Sequence, residues 1–425
     1  MSADRTGVAV DESPAGDRTD AFRRFSLFIL YAFVVTTPFS TAAGSILGVS
    51  LLLLGTVALI AVPAGRAAVP RVVWIALAGM VGWSALAAAT ASPFPSEWET
   101  WYKELWIKLM MPAAAALIVF ARPRIDRLLL TYLVAASVVA VLGAYQLATG
   151  SLPFEDEISP SRGGHWEIEA YYSHHLTYGG HVAVLWMVAA ARVLFGPGRG
   201  ASRPWWIAVA TTFLLAFGLY GSYARSPQLG ALAGLGVLVL MLPPRRRWIA
   251  IALVVVGLAA ALLNPTMRER YVHVFDNTEN ETTRWLLWES SWDGITSRPL
   301  TGFGPGNFDS LLEHHEVEGE YETRAHAHND YLMHAVNGGW PMLGFALLLA
   351  GGLVVVLVRA RGPDGGGIDW IVVGALAGHV ALIVAGVAQV FQTDDEVEFT
   401  LYFVLACALA HRALRTRTGG RAPIL

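Results

Sequence analysis

Three groups of residues in this 425-residue chain have types and spacing that chemistry could use. The segment HAHNDYL (326–332) brings His326, His328 and Asn329 together. Histidine titrates closest to neutral pH and suits general acid or base work. The segment GSYARSPQLG (221–230) holds Arg225 between two apolar runs, where an ionisable residue is costly and commonly functional. NTENETTRWLLW holds Arg284, with Arg298 and Arg324 further along. Guanidinium forks fit phosphate and pyrophosphate oxygens.

Residue type alone leaves plainer alternatives open. The histidines could form an interfacial polar cluster, Arg225 could snorkel to the membrane surface, and Arg284 could simply pair with Glu281 or Glu289. A metal site built from His314, His315, His326, His328 and the nearby carboxylates is the other option, but the spacings match no tight ligand motif.

These residues must be positioned by a membrane scaffold. Hydrophobic residues make up 55% of the chain and charged residues 15%, with a mean hydropathy of +0.49. Soluble domains carry roughly 25% charged residues, so a solvent other than water has to cover this surface. Apolar runs long enough to cross a bilayer core of roughly 30 Å lie near 22–41, 44–64, 70–91, 104–121, 128–148, 178–196, 205–223, 228–243, 248–264, 338–358, 370–392 and 397–413. Backbone polar groups inside a bilayer must be paired within the segment, so these runs are expected to be helices. The predicted fold is an all-α polytopic membrane protein with about twelve transmembrane helices. The spans contain little polar beyond Gln146, His379 and Gln389, and the polar residues gather at one face.

The arginines orient the chain. Numbering the gaps between spans, 21 of the 30 Lys and Arg fall on the side of the termini, against 9 on the other. Acidic residues divide 8 against 25 in the opposite sense. The positive-inside rule then predicts cytoplasmic termini, with residues 1–21 and 414–425 as tails. The polar start has no apolar h-region, so no cleavable signal peptide is expected. Two long segments fall on the far side, 149–177 and 265–337, and a loop as long as the second is usually functional. It carries Trp285, Trp288 and Trp292 at i, i+3, i+7. Those rings could stack on sugars, but membrane interfaces also favour tryptophan, and the interface is the preferred explanation. The domain plan is thus spans one to nine over 22–264, the large loop over 265–337, and spans ten to twelve over 338–413. The single cysteine, Cys407, excludes an intrachain disulfide and a cysteine-rich metal site.

Taken together, the motifs resemble the O-antigen ligase superfamily of bacterial membrane glycosyltransferases. TTRWLLWESSWDGITSRPLTGFGPGNF (282–308) carries that family's Arg-x-x-x-Trp helix and Pro-Leu-x-Gly-x-Gly-Pro-Gly turn. HAHNDYLMHAVNGGWPMLG (326–344) carries its His-Asn-x-x-Leu motif. Arg225 in SYARSPQLG matches its short Ser-Arg motif. The resemblance covers about 215–345, while the N-terminal half agrees only in hydropathy. One departure is Gly339-Trp340-Pro341-Met342, where the family often has Gly-x-x-Gly; it is expected to alter the helix start without removing a chemical group.

The resemblance implies a glycosyltransferase of the GT-C-like, membrane-embedded kind, working at the periplasmic face of a Gram-negative inner membrane. Its donor would be a glycan on undecaprenyl pyrophosphate and its acceptor lipid A-core, with no metal, no cofactor and no nucleic-acid partner. The superfamily also contains O-antigen polymerases and protein oligosaccharyltransferases; moderate length and one motif-bearing loop lean toward a ligase. In this reading His328, the histidine adjoining Asn329, accepts the proton of the attacking hydroxyl, and His326 orients the loop. Arg225 and Arg284 clamp the pyrophosphate, with His326, Asn329, Arg162 and Arg324 as further substrate-binding candidates. The reading of a different class is a lipid-linked glycan transporter, which would bury ionisable groups near the bilayer midplane. A non-catalytic assembly factor would show no dependence on His328.

Overall fold

The computed structural model describes residues 14–94, 97–153, 166–172, 174–198, 200, 202–272, 279–314, 326–362, 367–391 and 393–417. Among them are sixteen helices and no strand, an all-α polytopic membrane protein. Each of the twelve apolar runs coincides with one helix: α1 (Pro14–Thr36), α2 (Thr41–Ala61), α4 (Arg71–Ala89), α5 (Trp98–Ala121), α6 (Ile125–Thr149), α7 (His175–Phe195), α8 (Arg203–Gly221), α9 (Arg225–Leu240), α10 (Pro244–Ala261), α14 (Asp330–Ala360), α15 (Trp370–Ala385) and α16 (Asp395–Arg417). Short α3 (Pro63–Ala68) follows α2, and α11 (Pro265–Val272), α12 (Glu279–Ser297) and α13 (Phe308–His314) lie in the large loop. Eight helices (α2, α4, α5, α6, α7, α8, α14 and α16) are long and apolar enough to cross a membrane, and α9 and α15 are shorter apolar helices. Arginines occupy the first turns of α10 and the middle of α1, which dilutes their apolar stretch.

The helices sort into an inner and an outer set. About 78% of the apolar stretch of α5, α7 and α16 is buried, against 28% for α2 and α14. The outer helices therefore present their remaining surface to lipid. Close approach is made by small residues, as membrane packing requires. A Cβ on Gly230 of α9 would sit 2.2 Å from the Ala381 carbonyl of α15, and one on Gly55 of α2 would sit 2.3 Å from the Ala113 carbonyl of α5.

The inner helices also carry charges, contrary to the expectation of spans with little polar content. Lys108 of α5 and Glu398 of α16 form an ion pair at 2.5 Å, with 1% and 2% of their side chains exposed. Lys108 also donates to the Glu104 carbonyl at 2.6 Å, and Asn337 of α14 donates to the Glu104 carboxylate at 3.0 Å. Both acids and the lysine lie within apolar runs whose average masks them. Lys108 and Glu398 compensate one another, which is the usual condition for burying charge, and the Glu104 carboxylate is held by the Asn337 amide. A cavity of about 20 Å³ lined by Asp330, His379, Glu398 and Tyr402 adjoins this network, and is large enough for one water.

The large loop is anchored where α14 breaks. Asn329 caps α14, its Oδ1 accepting from the N–H groups of Tyr331 and Leu332 at 2.9 and 3.0 Å. The helix therefore begins at Asp330, eight residues before the expected span entrance at 338. It is interrupted at Gly338 and Gly339, where φ reaches +68° at the latter, and resumes around Pro341. The altered helix start expected from Gly339-Trp340-Pro341-Met342 is thus an internal break. The Pro-Leu-Thr-Gly turn docks into it: Phe303 N–H donates to the Val336 carbonyl at 2.7 Å, and Trp340 N–H to the Pro299 carbonyl at 2.9 Å. Trp83 of α4 bridges both sides, its Nε1 donating to the carbonyls of Leu300 and Gly338. A Cβ on Gly339 would lie 2.4 Å from the Pro299 carbonyl, and Gly302 also has φ +59°, so glycine is required at both positions. Leu287, Ile295, Phe303, Phe308, Leu311 and Val336 close a second apolar core beneath the turn.

Candidate active site

His328 stands on the three residues that precede α14, and the backbone there is held from both sides. Trp288 of α12 donates its Nε1 to the Ala327 carbonyl at 2.8 Å. On the other side, the segment following α15 grips the motif. Asn329 Nδ2 donates to the Val387 carbonyl at 2.9 Å, Asp330 N–H to the Gly386 carbonyl at 2.8 Å, and Phe391 N–H to the Asp330 carboxylate at 2.9 Å. Tyr331 adds a bond to the Ile383 carbonyl at 2.6 Å. Held this way, His328 adopts φ +49°, a left-handed conformation uncommon outside glycine and concentrated at functional sites.

The two histidines have different hydrogen-bonding states. His328 Nδ1 lies 2.8 Å from Gln389 Oε1. With the Gln389 amide oxygen turned to the ring, the contact suits the tautomer that donates from Nδ1 and keeps the lone pair on Nε2. His326 is arranged the other way: its Nδ1 accepts from the His328 backbone N–H at 3.3 Å. Its ring stands edge-on to that of His328, with centroids 4.3 Å apart. Burial pushes the His326 imidazole down to about 4, and the charges of His328, His174 and Arg284 act in the same direction. His326 is therefore neutral at physiological pH.

Those same charges locate the other candidates. Arg284, near the start of α12, and His174, the cap of α7, both face His326 closely enough to oppose its protonation. Arg225, the first residue of α9, stands beside Tyr271 of α11. Burial raises the Tyr271 hydroxyl and the Arg225 charge pulls it back. Tyr271 in turn donates to Gln228 Oε1 at 2.6 Å, and Gln228 Nε2 donates to the Leu219 carbonyl at 3.0 Å. Helix register places Arg225 at the level of the histidines. With Gly230 against Ala381 and Gly234 against Ala377, α9 and α15 run antiparallel. Five residues at about 1.5 Å each carry Arg225 past Ala381 by roughly 7.5 Å, toward Gln389 and Val387. Arg162 and Arg324 lie outside the described residues.

Most of the residues singled out at this end of the bundle fall in a stretch that is similar to a known family, while His174, Gln389 and Arg162 lie outside it. Residues 210–349 match the O-antigen ligase family. The match covers about a third of the chain and supports its place in the O-antigen ligase superfamily. No curated protein matches the chain. Within the O-antigen ligase stretch lie Arg225, Arg284, His326, His328 and Asn329, together with the broken start of α14. Ligases and polymerases of this family are membrane glycosyltransferase-like enzymes that use lipid-linked glycans.

In the sequence Gln389 is a polar residue within a span and nothing marks His174 for a role. Gln389 lies 61 positions from His328, so no local pattern connects them. Arg298, noted beside Arg284, donates to the carbonyls of Ala91 and Ser92 at 3.1 and 2.6 Å and so anchors the turn. Trp285 and Trp292 are 67% and 53% exposed, whereas Trp288 holds the histidine backbone. Among the described residues no group of three His, Cys, Asp or Glu is arranged to hold a metal.

Proposed function

We propose that this protein is an O-antigen ligase that transfers a glycan from undecaprenyl pyrophosphate to a sugar hydroxyl of lipid A-core, in lipopolysaccharide biosynthesis. The observation that carries the reading is the 2.8 Å contact of His328 Nδ1 with Gln389 Oε1, which fits a ring that donates from Nδ1 and takes up the proton at Nε2. The acceptor hydroxyl gives its proton to that nitrogen as its oxygen bonds to the anomeric carbon. The bond between that carbon and the pyrophosphate oxygen breaks, and undecaprenyl pyrophosphate leaves with the electron pair. A single displacement of this kind inverts the anomeric centre.

Negative charge develops on the leaving pyrophosphate. Arg225 and Arg284 are the cations at this end of the helix bundle suited to receive it. Each contact realised mainly in the transition state contributes on the order of 2–4 kcal/mol. The excess of arginine at the opposite end supports a site on the periplasmic face of the inner membrane and cytoplasmic termini.

The test is transfer by the purified protein supplied with undecaprenyl-pyrophosphate-linked glycan and lipid A-core, resolved by gel mobility. Ligated lipid A-core is expected from wild type and should be lost with His328→Ala. A lengthened lipid-linked glycan in place of ligated lipid A-core would make the protein a polymerase. Equal product from the His328→Ala variant would refute the assignment of the base.

A further inference from the structure

We infer that the groove between α4 and α14, at the end of the bundle away from the histidines, is a binding site for an anionic phospholipid. The groove has a volume of about 720 Å³. Its walls are apolar, formed by residues such as Val72, Leu348, Gly351 and Val355, and Arg359 and Arg412 stand at its mouth. Its floor is low because of glycine: a Cβ on Gly351 would meet nothing within 4 Å, while Gly352 brings α14 against Val72.

Charge selects the occupant. Among the described residues no hydrogen bond or ion pair engages either guanidinium, although Asp369 nearby in sequence is taken by Arg415 and His411. Two unpaired arginines at one end of an apolar trough suit a phosphate headgroup with its acyl chains lying below it. Length agrees as well. From Leu347 to Arg359 the helix rises about 18 Å at 1.5 Å per residue, close to one leaflet of a hydrocarbon core roughly 30 Å thick. The glycan donor is excluded as the intended occupant, because Asn329 and Arg359 lie at opposite ends of α14.

The experiment is native mass spectrometry of the full-length, delipidated protein titrated with phosphatidylglycerol or with phosphatidylethanolamine of the same acyl chains. Wild type should retain phosphatidylglycerol with a several-fold preference. The pair Arg359→Gln with Arg412→Gln should abolish that preference, and Arg359→Lys with Arg412→Lys should keep most of it. Gly351→Phe should lower retention of bound lipid by filling the trough while leaving both charges in place. Arg245→Gln, on α10 and away from the groove, should change nothing. Inorganic phosphate at millimolar concentration should not displace the lipid, since it lacks the chains. Undiminished preference in the double glutamine variant, or undiminished retention in Gly351→Phe, would overturn the inference. Displacement by phosphate alone would also overturn it, reducing the site to a bare anion contact.

Discussion

His328 Nδ1 and Gln389 Oε1 meet at 2.8 Å across two elements, the loop that precedes α14 and the chain that follows α15. The bond selects one imidazole tautomer. Replacing Gln389 by leucine removes the acceptor and frees the ring to protonate Nε2, the nitrogen assigned to the base. A net hydrogen bond contributes roughly 1–1.5 kcal/mol, so kcat should fall about fivefold to tenfold with little change in KM for donor. Gln389→Glu keeps an acceptor and should retain most of the rate. Single-turnover transfer with saturating donor measures this. Full rate in the leucine variant would remove Gln389 from the mechanism.

His326 and His328 are separable by pH. His326 sits near 4, so it does not titrate in the range where transfer would be assayed. Any loss of rate on acidification above pH 5 should then belong to a group other than His326. His326→Gln should leave the midpoint of that loss in place, whereas His328→Ala should remove the rate itself by a factor of about 10² to 10⁴. The same group has a stability consequence. Unfolded, its imidazole binds a proton near 6.5, and folded only near 4. Between those values the unfolded state holds more protons, so the fold loses stability as pH falls. Thermal unfolding followed by tryptophan fluorescence should show this acid loss in wild type, and less of it in His326→Gln. A shifted rate midpoint in that variant would give His326 the catalytic titration.

The helices were legible in the sequence because a bilayer leaves the backbone one solution, and every apolar run became one. The site was legible where its residues are neighbours in sequence, as in His328-Asn329 or Arg284-x-x-x-Trp288. Asn329, a substrate-binding candidate by its motif, also caps α14 and ties the loop to Val387. Capping by asparagine is a local signal that could have been read from the apolar run following it. Gln389 had no such signal, since its partner is fixed by the packing of α15 against α7, α9, α14 and α16. The Lys108–Glu398 pair was hidden for a different reason: averaging hydropathy over a window dilutes one charge among many alkyl groups.

That buried pair gives the next prediction. Removing one member leaves an uncompensated charge among α5 and α16, a loss of about 3–5 kcal/mol. Lys108→Met alone and Glu398→Leu alone should both reduce the yield and thermal stability of the folded protein. The double variant, with neither charge, should recover much of what either single change loses. Thermal unfolding in detergent tests this as a mutant cycle. Additive losses would mean that the two side chains do not act as a pair.

For the arginines, Arg225→Ala and Arg284→Ala should each slow transfer strongly while leaving the protein inserted. Lysine at either position should rescue only in part, because an ammonium cannot fork across two phosphate oxygens. Initial rates with purified donor, normalised to folded protein, measure the effect. Normal rates in both alanine variants would refute the pyrophosphate clamp. Chelators should have no effect, and inhibition reversed by one particular divalent metal would favour metal-assisted chemistry instead.

Orientation is tested by single cysteines, which is convenient because the native thiol, Cys407, is buried. In a Cys407→Ser background, cysteine at Ser202, Gly365 or Gly419 should be shielded from a membrane-impermeant thiol reagent in intact cells. Cysteine at Ser159 or Ser310 should be labelled. The physical basis is the arginine excess at the first group's side, since translocating clustered cations is unfavourable. Ser310 is the sharpest position, as α13 packs through Leu311 against the core beneath the histidine loop. Its labelling would put the loop outside the cytoplasm together with His328. Labelling of Ser202, Gly365 and Gly419 with protection of Ser310 would invert the protein. The proposed donor would then have to present its pyrophosphate to the cytoplasmic leaflet, and the ligase reading would fail with the topology.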